Sequence, residues 1–216
     1  MAKPNSTDSP PSILSFAKDL PNICSLAGLL CAVLAIYFAL RGIFAAAMIG
    51  LVWAVFFDWS DGIIARRLTG RNDKQREFGG QLDSLIDIVS FGVCPAIVLL
   101  SYANFSPWFL PGAFIIVAAG VLRLSYFNVF GLVDESTYLG LAMDNNAIIL
   151  PFVFLLLGVV TQPLAPILLY ILILLLAALN VAPIKTPKFI GLKCYYVLIA
   201  YTLVMSLLFG WQLYSC

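Results

Sequence analysis

Along the chain, apolar residues gather into seven blocks, roughly 22–40, 43–66, 79–101, 108–130, 146–161, 164–181 and 190–212. A helix needs about 20 mainly apolar residues to cross the hydrocarbon core, so each block predicts a membrane span. The fifth and sixth are short and divided only by Thr161, Gln162 and Pro163; a single broken helix there would leave six spans. Ahead of the first block, Ile13, Leu14, Phe16 and Ala17 are interleaved with Ser12, Ser15, Lys18 and Asp19. That pattern predicts a short amphipathic helix over 12–20, lying along the membrane surface. Residues 1–11 are polar and proline-bearing, with no apolar run behind a basic cap, and predict a disordered tail rather than a signal peptide. The expected fold is an all-α polytopic membrane protein: six to seven transmembrane helices in one domain, 21–216, preceded by an interfacial helix.

Composition agrees. Hydrophobic residues make up 62% of the 216 positions and charged ones 11%, with a mean hydropathy of +1.01; soluble domains carry about 25% charged residues, so a water-soluble globule is excluded. A net charge of +1 gives no reason to expect a nucleic-acid partner. Histidine is absent, which removes imidazole-based triads, zinc sites and haem sites. Cys24, Cys31, Cys94, Cys194 and Cys216 stand singly, without a CxxC pair, and read as small apolar filler. With seven spans, every Lys and Arg except Arg41 falls on one side, including Lys3, Lys18, Arg123, Lys185, Lys188, Lys193 and the cluster from Arg66 to Arg76. The positive-inside rule makes that side cytoplasmic, with the N-terminus in and the C-terminus out.

Residues 58–87 concentrate the charge. Asp58 and Asp61 close the second span three residues apart, and Asp83 and Asp87 open the third four apart; both spacings put the pair on one helix face. A short connection therefore brings four carboxylates together near the cytoplasmic surface. An aspartate inside a spanning helix costs about 2.5–3.5 kcal/mol, and four converging carboxylates repel one another. Divalent cations offset both penalties, and oxygen-only ligation favours Mg²⁺ or Mn²⁺, whose coordination shell is commonly completed by substrate phosphates. The structural alternative is that these aspartates cap helices or pair with the loop arginines. Gly62, Gly79 and Gly80 permit close approach of a ligand or, equally, of another helix.

At these residues the sequence resembles the CDP-alcohol phosphotransferase family, whose signature is D-x-x-D-G-x-x-A-R, a gap, then G-x-x-x-D-x-x-x-D. Asp58, Asp61, Gly62, Ala65, Arg66, Gly79, Asp83 and Asp87 fill every fixed position. The gap between Arg66 and Gly79 is longer than the family usually has, which implies a longer loop. Flanking segments (Phe56-Phe57, Gln81 to Leu85, Ser90 to Ala96, Leu122-Arg123-Leu124 and Phe127-Asn128) resemble the phosphatidylserine synthase branch. The resemblance implies transfer of the phosphatidyl group of CDP-diacylglycerol to an alcohol, L-serine in this branch, with release of CMP. It further implies two Mg²⁺ or Mn²⁺ ions on Asp58, Asp61, Asp83 and Asp87, with Asp87 also the general base, and a homodimer. Gly62, Ala65, Arg66 and Gly79 would line the CDP group with the aspartates; Asn22 and Ser25 are either further polar contacts or helix caps.

The acceptor side departs from the branch. Tyr126 stands where a second arginine is usual, and Gly140-Leu141-Ala142 where Gly-Leu-Pro is usual. An aromatic there suits either a quaternary ammonium or the membrane interface. Arg123, Tyr126 and Asn128 are the candidate acceptor residues, Arg123 being alternatively a phosphate ligand or half of an ion pair. Choline, glycerol phosphate or an inositol compound are the alternative acceptors. A cation transporter with intramembrane aspartates is the rival from another class, although it would spread its carboxylates over several depths.

Overall fold

The computed structural model describes residues 12–132, 134, 137–158, 160–161, 164–187 and 192–215. The expected tail (1–11), Lys3, Lys188, Cys216 and the Gln162-Pro163 break lie outside the described residues. The chain is an all-α membrane bundle. A short α1 (Ile13–Ala17) leads into α2 (Leu20–Leu40), α3 (Phe44–Arg67), α4 (Asp73–Asp87) and α5 (Cys94–Tyr102). A six-residue π-helical segment, Ile88–Val93, joins α4 to α5 as one continuous rod. There follow α6 (Leu110–Phe130), β1 (Thr137–Leu139), α7 (Asp144–Leu157), α8 (Ala165–Val181), β2 (Lys185–Pro187) and α9 (Leu192–Ser215). Among the described residues five helical stretches, Leu20–Leu40, Phe44–Arg67, Asp73–Tyr102, Pro107–Phe130 and Leu192–Ser215, are long and apolar enough to cross a membrane; α7 and α8 are shorter apolar helices. The seven expected spans thus correspond to seven helical stretches, the fifth and sixth as separate helices.

Turns at the two ends keep the charges sorted. Leu40, Arg41 and Phe44 border one cavity with Ser101, Tyr102 and Asn104, so the α2–α3 and α5–α6 connections share an end of the bundle. At the other end β1 pairs antiparallel with β2, Tyr138 opposite Thr186, tying the α6–α7 connection to the α8–α9 connection. This ribbon was not expected: three-residue strands are too short to show a period-two pattern.

Small residues let α2 and α3 approach closely, as membrane helices do in place of a hydrophobic driving force. Ala32, Ala35, Ala39 and Ala47 are fully buried, and a Cβ added at Gly50 would lie 2.8 Å from the Cys31 carbonyl. Cys24, Cys31, Cys94 and Cys194 are free thiols.

Two boundaries move from their expected places. Helix α1, expected to reach residue 20, ends at Ala17 because Asp19 is extended (φ −66°, ψ 132°) and a new helix starts at Leu20 with Pro21 in its first turn. Asp19 then reaches Arg71 at 2.7 Å, both side chains about nine-tenths buried, while Phe16 stacks on Phe78 with ring centroids 4.7 Å apart. The α3–α4 connection is short, spanning only 68–72, because α4 begins well before the apolar block. Asn72 caps it in a capping box, its Oδ1 accepting from the Gln75 N–H (2.8 Å) and Gln75 Oε1 accepting from the Asn72 N–H (2.9 Å). Of the twelve residues between Arg66 and Gly79, seven are helical, so the loop is shorter than the gap implied.

Removing one member of a buried ion pair strands the other charge, at about 3–5 kcal/mol. Arg71→Met is therefore expected to lower thermal stability in detergent by about that much, with Asp19→Asn added to it recovering part of the loss. Unchanged melting in the single variant would show that the pair contributes nothing.

Candidate active site

One cavity of about 290 Å³ opens at the ribbon end of the bundle. Helix α3 presents Asp58 and Asp61 to it, one turn apart, and α4 presents Asp83 and Asp87, also one turn apart. One carboxylate oxygen from each of Asp58, Asp83 and Asp87 lies within 4.8 Å of the other two. Asp61 is turned aside: the Ser25 Oγ–H donates to its Oδ2, and it is 6% exposed. Ser25 thus reaches the quartet through Asp61. The π-helical segment begins at the residue after Asp87, and such segments recur at functional sites; the Asn146 amide donates to its Phe91 carbonyl at 3.2 Å.

These residues fit a divalent cation. Three half-buried carboxylates converge from two helices with no imidazole or thiolate among them. Asp87 Oδ1 is buried without a hydrogen-bond partner, which leaves an acceptor free for a metal or for a proton.

Of the other residues singled out in the sequence, Gly62, Arg66 and Arg123 line the cavity. Arg66 is exposed at its mouth and folds back over Gly62, whose added Cβ would sit 3.6 Å from Nη1. Ala65, Gly79, Asn22, Tyr126 and Asn128 do not line it. Asn22 donates to the Phe16 carbonyl at 2.9 Å and, with Arg71, faces Gly79, where an added Cβ would meet both. Tyr126 packs tilted against Phe130 with centroids 4.6 Å apart and is 44% exposed; Asn128 accepts from Ser84 Oγ at 3.1 Å, tying α6 to α4.

Arg123 is 9% exposed and its Nε has no hydrogen-bond partner. Its guanidinium lies 5.5 Å from the Phe127 ring centroid and 5.3 Å from that of Tyr138, as in cation–π pairs. Burial pushes the Tyr138 phenol up to about 12, with Asp144 adding to the effect, so Arg123 faces a neutral ring.

Several wall residues were not anticipated. Trp59, between the first two aspartates, donates from Nε1 to Asp144 Oδ2 at 2.8 Å. Asp144, Asn145, Tyr138, Thr186 and Tyr195 complete the far wall, Tyr195 of α9 being held by Ser60 of α3 at 2.8 Å. Asp144 had a readable signal: an acid opening an apolar segment on the same side as the quartet.

Comparison with known proteins agrees with this geometry. A model of the CDP-alcohol phosphatidyltransferase family matches residues 18–213. The chain is 32% identical to a CDP-diacylglycerol–serine O-phosphatidyltransferase of Bacillus subtilis over 79% of this chain and 90% of that protein. It is 42% identical to an archaetidylserine synthase of Methanothermobacter thermautotrophicus over 51% of this chain and 47% of that protein, and so spans about half its length. A CDP-diacylglycerol–serine O-phosphatidyltransferase of Methanocaldococcus jannaschii is 35% identical over 63% of this chain and 61% of its own. With the family's two-part aspartate signature folded into one cavity and the match running through nearly every helix, the chain belongs to the CDP-alcohol phosphatidyltransferase family.

Proposed function

We propose that this membrane protein transfers the phosphatidyl group of CDP-diacylglycerol to L-serine, giving phosphatidylserine and CMP. The observation that carries the reading is the convergence of Asp58, Asp83 and Asp87 within 4.8 Å, beside Arg66 and Arg123 in one cavity at the ribbon end of the bundle. The serine-directed names of the relatives support L-serine as acceptor.

In this reading Asp58, Asp83 and Asp87, with Asp61 beside them, hold one or two Mg²⁺ or Mn²⁺ ions. Bound there, the metal neutralises the diphosphate and the charge that develops on the leaving CMP. Arg66 at the mouth meets phosphate, and Gly62 leaves room for the nucleotide. Asp87 Oδ1, unpartnered and buried, accepts the proton of the acceptor hydroxyl as its oxygen attacks the β-phosphorus. The new P–O bond forms as the bond from that phosphorus to the CMP oxygen breaks, and CMP leaves. Read as seven spans, the sequence puts eleven of its twelve Lys and Arg residues on the side of the four aspartates, which supports a cytoplasmic site and N-terminus.

The test is CMP release by purified protein in mixed micelles with CDP-diacylglycerol, Mg²⁺ and single alcohols. L-Serine is expected to give the largest kcat/KM; release with glycerol phosphate or an inositol compound but not with serine would overturn the acceptor assignment.

A further inference from the structure

The cavity holds five carboxylates, of which the converging group uses three and Ser25 engages a fourth. Asp144 is the fifth, and it stands outside that group. Its position is fixed by Trp59 on Oδ2 and by the Asn145 backbone and side-chain N–H groups on Oδ1, at 3.0 and 3.2 Å. A carboxylate accepts about four hydrogen bonds, so Oδ2 keeps one acceptor position free. Arg123 borders the same cavity nine-tenths buried, its Nε without a hydrogen-bond partner and its guanidinium over the Phe127 and Tyr138 rings. Among the described residues the two make no ion pair within 4.0 Å; Asp19 with Arg71 is the ion pair found. Two opposite charges thus border one cavity without closing into a direct ion pair. Such charges are costly to hold in a poorly hydrated place unless something pairs with them.

Resting on the phosphatidyl-transfer reading, we infer that Asp144 is a specificity-determining residue: with Arg123 it forms a two-pole subsite for a zwitterionic amino alcohol. Asp144 takes the ammonium and Arg123 the carboxylate, which guanidinium suits through paired N–H donors. An acceptor bearing phosphate and no cationic nitrogen leaves Asp144 facing a like charge, so this subsite rejects it as well as attracting serine.

The test compares acceptors that lack one pole: L-serine, 3-hydroxypropionate (no ammonium), ethanolamine (no carboxylate), ethylene glycol (neither) and sn-glycerol 3-phosphate. CMP release is followed with Mg²⁺ and saturating CDP-diacylglycerol. In Asp144→Asn the ratio of kcat/KM for serine over 3-hydroxypropionate is expected to fall at least about tenfold, or about 1.4 kcal/mol, chiefly through the KM for serine. Asp144→Glu, which keeps the charge, is expected to retain more of that ratio. In Arg123→Gln the serine over ethanolamine ratio is expected to fall comparably. A uniform loss across all acceptors in Asp144→Asn would make Asp144 a support for Trp59 and overturn the inference, as would an unchanged ratio. If the variants do not fold, the wild type decides: ethanolamine must outperform ethylene glycol, and equal use of the two sinks the subsite. Wild type active with ethanolamine but not serine would overturn the serine assignment and leave Asp144's role standing. Activity only with glycerol phosphate would overturn both, and no CMP release with any alcohol would end the phosphatidyl-transfer reading and this subsite with it.

Discussion

Asp87→Asn is expected to lower kcat for CMP release by about 10³-fold or more while the protein still inserts, purifies and binds CDP. General-base catalysis alone contributes about 10²–10⁴-fold, and this carboxylate is also one of the three that converge within 4.8 Å. The substitution preserves shape and keeps an oxygen, but removes the charge and the ability to take a proton at the position where Oδ1 is buried and unpartnered. A single-turnover assay with radiolabelled CDP-diacylglycerol separates binding from chemistry. Loss of binding with intact chemistry would remove Asp87 from the base role, and activity within tenfold of wild type would remove it from both.

Stripping divalent ions is the second large effect. With chelator, CMP release is expected to fall to background and to return on adding Mg²⁺ or Mn²⁺. A readout independent of turnover accompanies it: the ions should raise the melting temperature of the wild type. Binding only the folded state at 100 times Kd stabilises by about 2.7 kcal/mol. Asp58→Asn should abolish that rise, because it removes one of the three converging oxygens. Full activity in chelator would refute the metal reading of the aspartates.

Much of this architecture was legible before any coordinates, because a bilayer leaves a chain few choices. Backbone polar groups must be satisfied within each span, so apolar blocks read directly as helices, and the positions of Arg41 against Arg66, Lys74 and Arg123 read as sidedness. The quartet was legible for a related reason: a carboxylate such as Asp87, set among Ile86, Ile88 and Val89, is costly enough there to need an explanation. Contacts between distant segments were not legible. Nothing in the spacing says that Ser25 would meet Asp61, that Trp59 would reach Asp144, or that Tyr138 and Thr186 would pair across two connections. The start of α4 was missed because hydropathy was the guide, whereas Asn72 and Gln75 announce it by side-chain chemistry. Tyr126 and Asn128 were singled out by the acceptor-side resemblance, which carries no information on which way a side chain packs; Arg123 lines the cavity, whereas Tyr126 packs on Phe130 and Asn128 accepts from Ser84.

The capped start of α4 has a consequence for how this protein can change over generations. Asp83 and Asp87 lie on a rod whose first turn is closed by its own Asn72–Gln75 pair, so their bearing on Asp58 is set by helix packing and not by the stretch preceding the cap. Insertions and deletions among residues 68–70, ahead of the Arg71 that pairs with Asp19, can accumulate there without disturbing the reacting centre. Length drift at this corner is therefore a poor guide to functional divergence, whereas a single residue added between Asp83 and Asp87 would rotate one acid by about 100° about the helix axis relative to the other and end the chemistry.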